Sequence, residues 1–378
     1  MGCKAIDGQV ARREDAELSA LLEKFVCVRA VQMWGADLSL FQFHGQLTWA
    51  VFFLNADRTI YGRYGSRAPT GTSGFRGNDR FVTLDGFKKA MQGALELHAG
   101  YPANKASLAG KTGPAPGAKA PEEMPAAKRF PIKRAEENQG KGCIHCHQVQ
   151  DWEYIEARGK GAPVPDRLLW TYPMPDALGL AFDPAERATV SAVAAGSAAE
   201  RGGWKAGDRI AALEGQPILS IADVQWVLHQ AAEPGAVKGE VERGGKKAPV
   251  SIELKAGWRR TFSYADNLSV GWASRQRVAG MRLDALTDDE RRKLGLGTGV
   301  LALRIRDLSP DFARDRNVSP KKVGLLKGDV LVEIDGRKDP MTESEFLAYL
   351  VQTKKPGDKA ELAYLRGGQV SKVTIDVP

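Results

Sequence analysis

Apolar and polar positions alternate in recognisable periods over the first hundred residues. Ala16, Leu18, Leu21, Leu22 and Phe25 recur at helical spacing, which predicts an amphipathic helix over residues 13–24. Phe25-Val26-Cys27-Val28-Arg29-Ala30-Val31 follows as an apolar run of strand length. Thr48-Trp49-Ala50-Val51-Phe52-Phe53-Leu54 predicts a second strand, apolar on both faces as a central strand is. Asn55-Ala56-Asp57-Arg58 reads as a turn into Thr59-Ile60-Tyr61-Gly62-Arg63-Tyr64, so these two strands form a hairpin. From Thr83 to His98, Phe87, Ala90, Met91, Ala94 and Leu97 mark one face of a closing helix.

The pattern weakens over 100–141. That stretch is rich in Ala, Pro and Gly and poor in aromatics, and predicts a solvated, semi-extended linker. Beyond residue 172 a pattern occurs twice. Gly196-Ser197-Ala198-Ala199, then Gly207-Asp208-Arg209-Ile210, recurs loosely as Gly328-Asp329-Val330-Leu331. Each copy continues with a short strand and turn, an amphipathic helix (Ile221 to Ala231; Glu343 to Gln352), Pro-Gly, and two strands around an Arg-Gly-Gly turn. An internal repeat of this length predicts two copies of one domain. The expected divisions are 1–99, linker 100–141, junction 142–171, first repeat 172–256, linker 257–276 and second repeat 277–378.

Composition narrows the classes. A chain of 378 residues predicts two to four domains, and 43% hydrophobic with 26% charged residues is enough to bury cores. The longest apolar run, Ala50 to Leu54, is far shorter than the ~20 residues of a membrane span. Nothing near Met1 resembles a secretory apolar region, and Ile6 stands where a myristoylation site has Ser or Thr. Half of the net charge of +8 lies in 100–141, with eight basic residues against four glutamates. No basic run interleaves with aromatics in the manner of a nucleic-acid surface. Four cysteines are too few for a disulfide scaffold of this size.

The N-terminal element order, the hairpin Phe52 to Gly65 and the opening Cys3-Lys4 resemble a thioredoxin-like domain of the bacterial thioredoxin-7 kind. That resemblance implies a truncated thioredoxin-like α/β domain. Its catalytic candidate is Cys3, matching the second cysteine of a Cys-x-x-Cys-Lys motif whose first cysteine and preceding strand are expected upstream. No proline stands at Leu47 or Thr48, where thioredoxins place a cis-proline. Cys3 then reads as either a reactive helix-start thiol or a vestige. Cys27 is expected to be buried.

The repeats resemble bacterial PDZ domains of the HtrA type, which implies two partly open β-barrels with helices. In that family a backbone loop captures the C-terminal carboxylate of a partner protein, and the extended peptide adds to the sheet edge. The loop matches Leu178, Gly179 and Leu180 in the first copy and Gly280, Met281, Arg282 and Leu283 in the second. Arg282 adds charge to the second loop. An insertion, Asp311 to Ser319, makes the second groove irregular, so the first copy is the expected binder. Gly71-Thr72-Ser73-Gly74 is not the nucleophile turn of an HtrA protease, and His44, His98 and His229 are isolated in the sequence.

Between the halves lies Cys143-Ile144-His145-Cys146-His147. Cys-x-x-Cys-His is the spacing of haem c attachment: two thiols join the haem, and His147 reaches the iron. Met174 is the candidate sixth ligand, or simply an apolar residue leading into the loop. A redox dithiol and a zinc site use the same residue types. The full order resembles the bacterial thioredoxin-7/PDZ (seleno)protein family. It implies an extracytoplasmic redox or electron-transfer protein that docks partners through tandem PDZ domains, with a signal sequence expected upstream. The alternative is a non-enzymatic peptide-binding scaffold.

Overall fold

The structure is a computed structural model that describes residues 3–45, 47, 49–65, 82–129, 132, 142–261, 279–308 and 322–377. The chain forms two compact units, Met1–Val149 with Thr171–Phe262, and Gln150–Trp170 with Ser263–Pro378.

The first unit begins with α1 (Cys3–Arg12) and α2 (Ala16–Leu22). The Asp15 carboxylate accepts from the Leu18 amide at 2.7 Å and starts α2, whose Leu18, Leu21 and Leu22 are buried. Strands β1 (Val51–Leu54) and β2 (Ile60–Tyr64) make the expected antiparallel hairpin, with Phe53 opposite Gly62. Helix α3 (Leu84–Ala99) starts at Thr83, whose hydroxyl accepts from the Gly86 amide at 3.0 Å. Its Phe87, Ala90, Met91 and Ala94 close over Phe53, Tyr61 and Tyr64.

Four expectations are corrected here. Phe25 to Val31 is irregular chain, and Val26, Val28 and Val31 are exposed. An apolar run becomes a strand only when it pairs along its length with a neighbour, and among the described residues no strand ladder forms here. Cys27 is exposed rather than buried. The linker is folded over much of its length: α4 (Lys105–Leu108), two 3-10 turns (Ala109–Lys111 and Pro121–Glu123) and α5 (Pro125–Arg129) bury Leu108, Met124, Ala126 and Ala127. Among the described residues the N-terminal sheet has two strands, so the parallel half that the thioredoxin resemblance implies is not formed there. Gly71 to Gly74 and Asp311 to Ser319 lie outside the described residues.

Helix α6 (Cys146–Gly159) and α7 (Asp166–Leu169) precede the first repeat. That repeat consists of β3 (Leu180–Asp183), β4 (Thr189–Val193), α8 (Ala198–Arg201), β5 (Arg209–Leu213), β6 (Gln216–Pro217), α9 (Ile221–Gln230), β7 (Gly235–Arg243) and β8 (Lys246–Leu254). Its antiparallel sheet runs β3-β4-β5-β7-β8, with β6 beside β5. The second repeat, in the second unit, has β9 (Met281–Ala285), α10 (Asp288–Lys293), β10 (Leu303–Leu308), β11 (Val330–Ile334), α11 (Glu343–Thr353), β12 (Lys359–Arg366) and β13 (Gln369–Asp376). Its order, β9-β10-β11-β12-β13, reproduces the first. In each, the strand after the predicted carboxylate loop is an edge strand.

One polar clamp recurs in both copies. Arg243 grips Asp208 through two hydrogen bonds of 2.6 and 2.7 Å and donates to the Gly203 carbonyl. Arg366 does the same to Asp329, at 2.6 Å twice, and to the Gly324 carbonyl. The carboxylate oxygen held by the arginine Nη2 also accepts a backbone amide, from Lys205 or Leu326. The two sequence signatures of the repeat, Gly-Asp and Arg-Gly-Gly, are therefore the two ends of one bidentate pair.

Inside the first unit, α9 is fixed by buried charge. Lys111 and Asp223 pair at 2.9 Å, both with no solvent exposure. Asp223 also accepts the amides of Leu219 and Arg63, and Ser220 donates to the Arg63 carbonyl at 2.6 Å. The Arg63 guanidinium donates to the carbonyls of Gln42 and Lys111 and lies 3.9 Å over the Trp226 ring. Burial pulls the pKa of Arg63 down to about 10, with Asp223 opposing, so it stays charged at neutral pH. Lys111 is pulled down by the same burial, again with Asp223 opposing.

Lys111→Met should destabilise the first unit by about 3–5 kcal/mol in urea unfolding, because it strands a buried carboxylate. Adding Asp223→Leu should recover part of that loss; an unchanged midpoint for the single variant would contradict the role of the pair. The clamp has a pH signature. Burial alone would raise the carboxyl of Asp208, but Arg243 and the Lys205 amide outweigh it and hold it below the ordinary value. Its stabilisation is therefore complete above the unfolded carboxyl value of about 4 and disappears as pH falls through the lower folded value. Asp208→Asn should cost about 2 kcal/mol at pH 7 and progressively less below pH 3, measured as urea midpoints at the two pH values.

Candidate peptide-binding grooves and the cysteine junction

In the first repeat, Pro175–Leu178 forms a 3-10 turn that ends at Gly179, in the left-handed region at φ 90. A Cβ on Gly179 would sit 2.2 Å from the Cβ of Ser197, so glycine is required twice over, by conformation and by space. The Gly179 carbonyl accepts from the Ala194 amide at 2.8 Å, tying the loop to the turn that carries Gly196 and Ser197. Leu178 and Leu180 are buried in the core on either side. Of the three residues named from sequence, Gly179 shapes the backbone and the two leucines anchor it.

Helix α9 borders this loop. The Gln225 amide donates to the Tyr172 carbonyl at 2.9 Å and to the Met174 sulfur at 3.1 Å. The His229 ring stacks on Tyr172, with centroids 4.2 Å apart. Asp223 and Trp226 occupy another side of the helix, where the Trp226 indole donates to the Gly110 carbonyl. A pocket lined by His44, Leu47, Arg63, Tyr172, Ala222 and Gln225 opens beside the Gln225 side of the helix.

In the second repeat Gly280 is left-handed, at φ 66, and leads into β9. Met281 and Leu283 are buried, and Arg282 alternates with them. The Leu283 amide donates to the Glu343 carboxylate at 2.9 Å. Glu343 opens α11, where the first repeat has Ile221. Sequence periodicity gave no reason to single out Glu343, because its role appears only when helix and strand are brought side by side.

The junction motif is held by residues distant in sequence. The Trp34 indole donates to the Gly142 carbonyl at 2.5 Å, and the Met33 amide to the Ile144 carbonyl at 2.8 Å. Ile144 is buried, while Cys143 and His145 face solvent. Cys146 is half-buried as the first residue of α6, with its sulfur 3.4 Å from the Leu47 carbonyl. Burial raises its thiol pKa. The His145 and His147 rings stack nearly parallel, with centroids 5.4 Å apart. Among the described residues no group of three or more His, Cys, Asp or Glu side chains is placed to hold a metal ion.

A haem would need both sulfurs and His147 turned toward it. As placed, Cys146 packs inward and the Met174 sulfur is bonded to Gln225, so this arrangement does not fit a covalent haem with Met174 as sixth ligand. Cys3 is the first described residue and lies in α1.

The PDZ domain family matches the chain at residues 189–243, and a second PDZ family at 315–377. Among curated proteins, the chain is similar to a probable periplasmic serine endoprotease DegP-like of Pseudomonas fulva (strain 12-X), 24% identical over 190 residues, which are 50% of this chain and 37% of that protein. A protein of the same description from Marinomonas sp. (strain MWYL1) is 26% identical over 157 residues, 42% of this chain and 30% of that one. The chain thus spans under two fifths of the length of the curated relatives it matches. Among solved structures, the HtrA-type protease AlgW with decapeptide is similar at 18% identity and TM-score 0.22, over 37% of this chain and 49% of that one. The HtrA3 PDZ domain bound to a phage-derived ligand (FGRWV) is similar at 21% identity and TM-score 0.21, over 26% of this chain and 83% of that one. The matched residues fall on the two repeated sheets with their paired Asp–Arg clamps, and the chain carries two PDZ domains.

Proposed function

We propose that this protein docks partner proteins by capturing an extended peptide C-terminus on its first PDZ domain. The observation that carries this reading is the left-handed Gly179 loop opening onto β3, an edge strand, with α9 alongside. An added strand would take its backbone hydrogen bonds from β3, while the loop amides receive its terminal carboxylate. Leu178 and Leu180 anchor the loop, and Gly179 lets its backbone turn. The second domain offers Gly280, Met281, Arg282 and Leu283 to the same chemistry. The periplasmic description of the similar DegP-like proteins supports an extracytoplasmic compartment.

The pentapeptide FGRWV, a ligand of a similar PDZ domain, is the first probe, followed by a displayed library of free C-termini. By fluorescence anisotropy on the full chain, a binder with a free carboxylate should lose at least tenfold in affinity when amidated. Gly179→Ala should weaken it by a similar factor. Equal affinity for the amidated peptide would overturn the reading.

A redox role at the junction is a second reading, favoured by the pairing of exposed Cys143 with half-buried Cys146 at the first turn of α6. In it, Cys143 attacks a protein disulfide and Cys146 resolves the mixed disulfide. Two thiols become one disulfide, and two electrons and two protons pass to the partner's cysteines. Cys3 would join this chemistry only with a second thiol beside it. Intact mass decides among the outcomes. A loss of two mass units, reversed by reductant, supports the dithiol. A mass increased by one haem, from cells competent for attachment, replaces it with haem c on Cys143, Cys146 and His147. A bare reduced mass under oxidising conditions removes both.

A further inference from the structure

The second PDZ domain differs from the first in what lies on its groove helix. Buried residues on α11 include Phe346 and Leu350, then Leu347, Val351, Ser344 and Ala348. At 3.6 residues per turn these span an arc of roughly 200°, about twice the stripe that a helix on a single sheet buries. The sheet accounts for one side of that arc. The other side needs a second cover.

The cover comes from the chain itself. Residues Gln150–Trp170 precede the first repeat in sequence but belong to the second unit. Arg158 donates to the carbonyls of Val351 and Lys354, at 3.4 and 3.3 Å. The Gln352 amide donates to the Val164 carbonyl at 2.9 Å and to the Asp166 carboxylate at 2.6 Å. Trp152, Tyr154, Val164, Leu169 and Trp170 of the strap are buried. At the other end of α11, Glu343 takes the Leu283 amide of edge strand β9. An added peptide strand must hydrogen-bond to the outward amides of that edge.

We propose that the second PDZ domain engages its own chain: the strap Gln150–Trp170 covers its groove helix, and Glu343 occupies its strand edge, so that a peptide must displace both to bind. This inference rests on the peptide-capture reading of the PDZ fold. The first domain has Ile221 at the position of Glu343, so its strand edge has no equivalent side-chain occupant from the helix start.

The test uses the full chain and two readouts. Hydrogen exchange followed by NMR reports on the self-engagement. The Leu283 amide should exchange at least tenfold faster in Glu343→Ala and remain protected in Glu343→Gln, which keeps an acceptor oxygen. Arg158→Ala with Gln352→Ala should speed exchange across residues 150–170. Rapid exchange of Leu283 and the strap in the unmodified chain would overturn the proposal, whatever binds. Peptide binding is then measured in a Gly179→Ala background, which weakens capture by the first domain. Free-carboxylate library peptides should bind at least tenfold more tightly once Glu343→Ala or the Arg158 and Gln352 changes are added. Equal affinity with and without those changes, at measurable binding, overturns the proposal. No binding in any variant, with the exchange changes present, overturns the peptide-capture reading of this domain instead.

Discussion

Two charges removed from water organise the first unit. Lys111 and Asp223 meet at 2.9 Å with neither exposed, and a pair placed there is tolerable because the carboxylate also accepts backbone amides. The amides of Leu219 and Arg63 complete the Asp223 shell, and Arg63 itself reaches back to the Lys111 carbonyl. Such a cluster adds little net stability over an apolar core of the same shape, but it penalises every other placement of α9. It determines that the helix beside the first peptide groove has one orientation and that Tyr172 and Met174 lie against Gln225 and His229.

The Asp–Arg clamp does comparable work within each repeat. It joins the turn before the central strand to the hairpin that follows the helix, so the loop, the edge strand and the helix are carried on one sheet of fixed order. Binding sites built on such elements are preorganised, because the loop backbone is already turned by Gly179 or Gly280 before a ligand arrives. The two domains share that scaffold and diverge in what occupies the edge. Ile221 carries no acceptor for the β3 edge, whereas Glu343 bonds the Leu283 amide of β9. The helix start thus differs between the two domains at one first-turn residue, Ile221 in the first and Glu343 in the second.

The junction motif is positioned by contacts that a linear reading does not contain. Trp34 and Met33, more than a hundred residues upstream, hold Gly142 and Ile144. Ile144 buries itself and leaves Cys143 outside and Cys146 half inside.

The sequence by itself determined the elements whose periodicity is local. These were the hairpin with its Asn55–Arg58 turn, the Thr83-capped helix and both copies of the repeat, because capping, alternation and turn chemistry act within a few residues. It also marked Gly179 and Gly280, since only glycine suits the conformation those loops require. The tertiary structure decided the rest. Phe25 to Val31 has the composition of a strand, yet among the described residues no strand pairs with it. The stretch after residue 100 has the composition of a tether, yet Lys111 finds Asp223 and folds it in. The strap and Glu343 close the second groove through residues separated by up to about two hundred positions, and such pairings depend on where the chain returns in space rather than on any pattern along it.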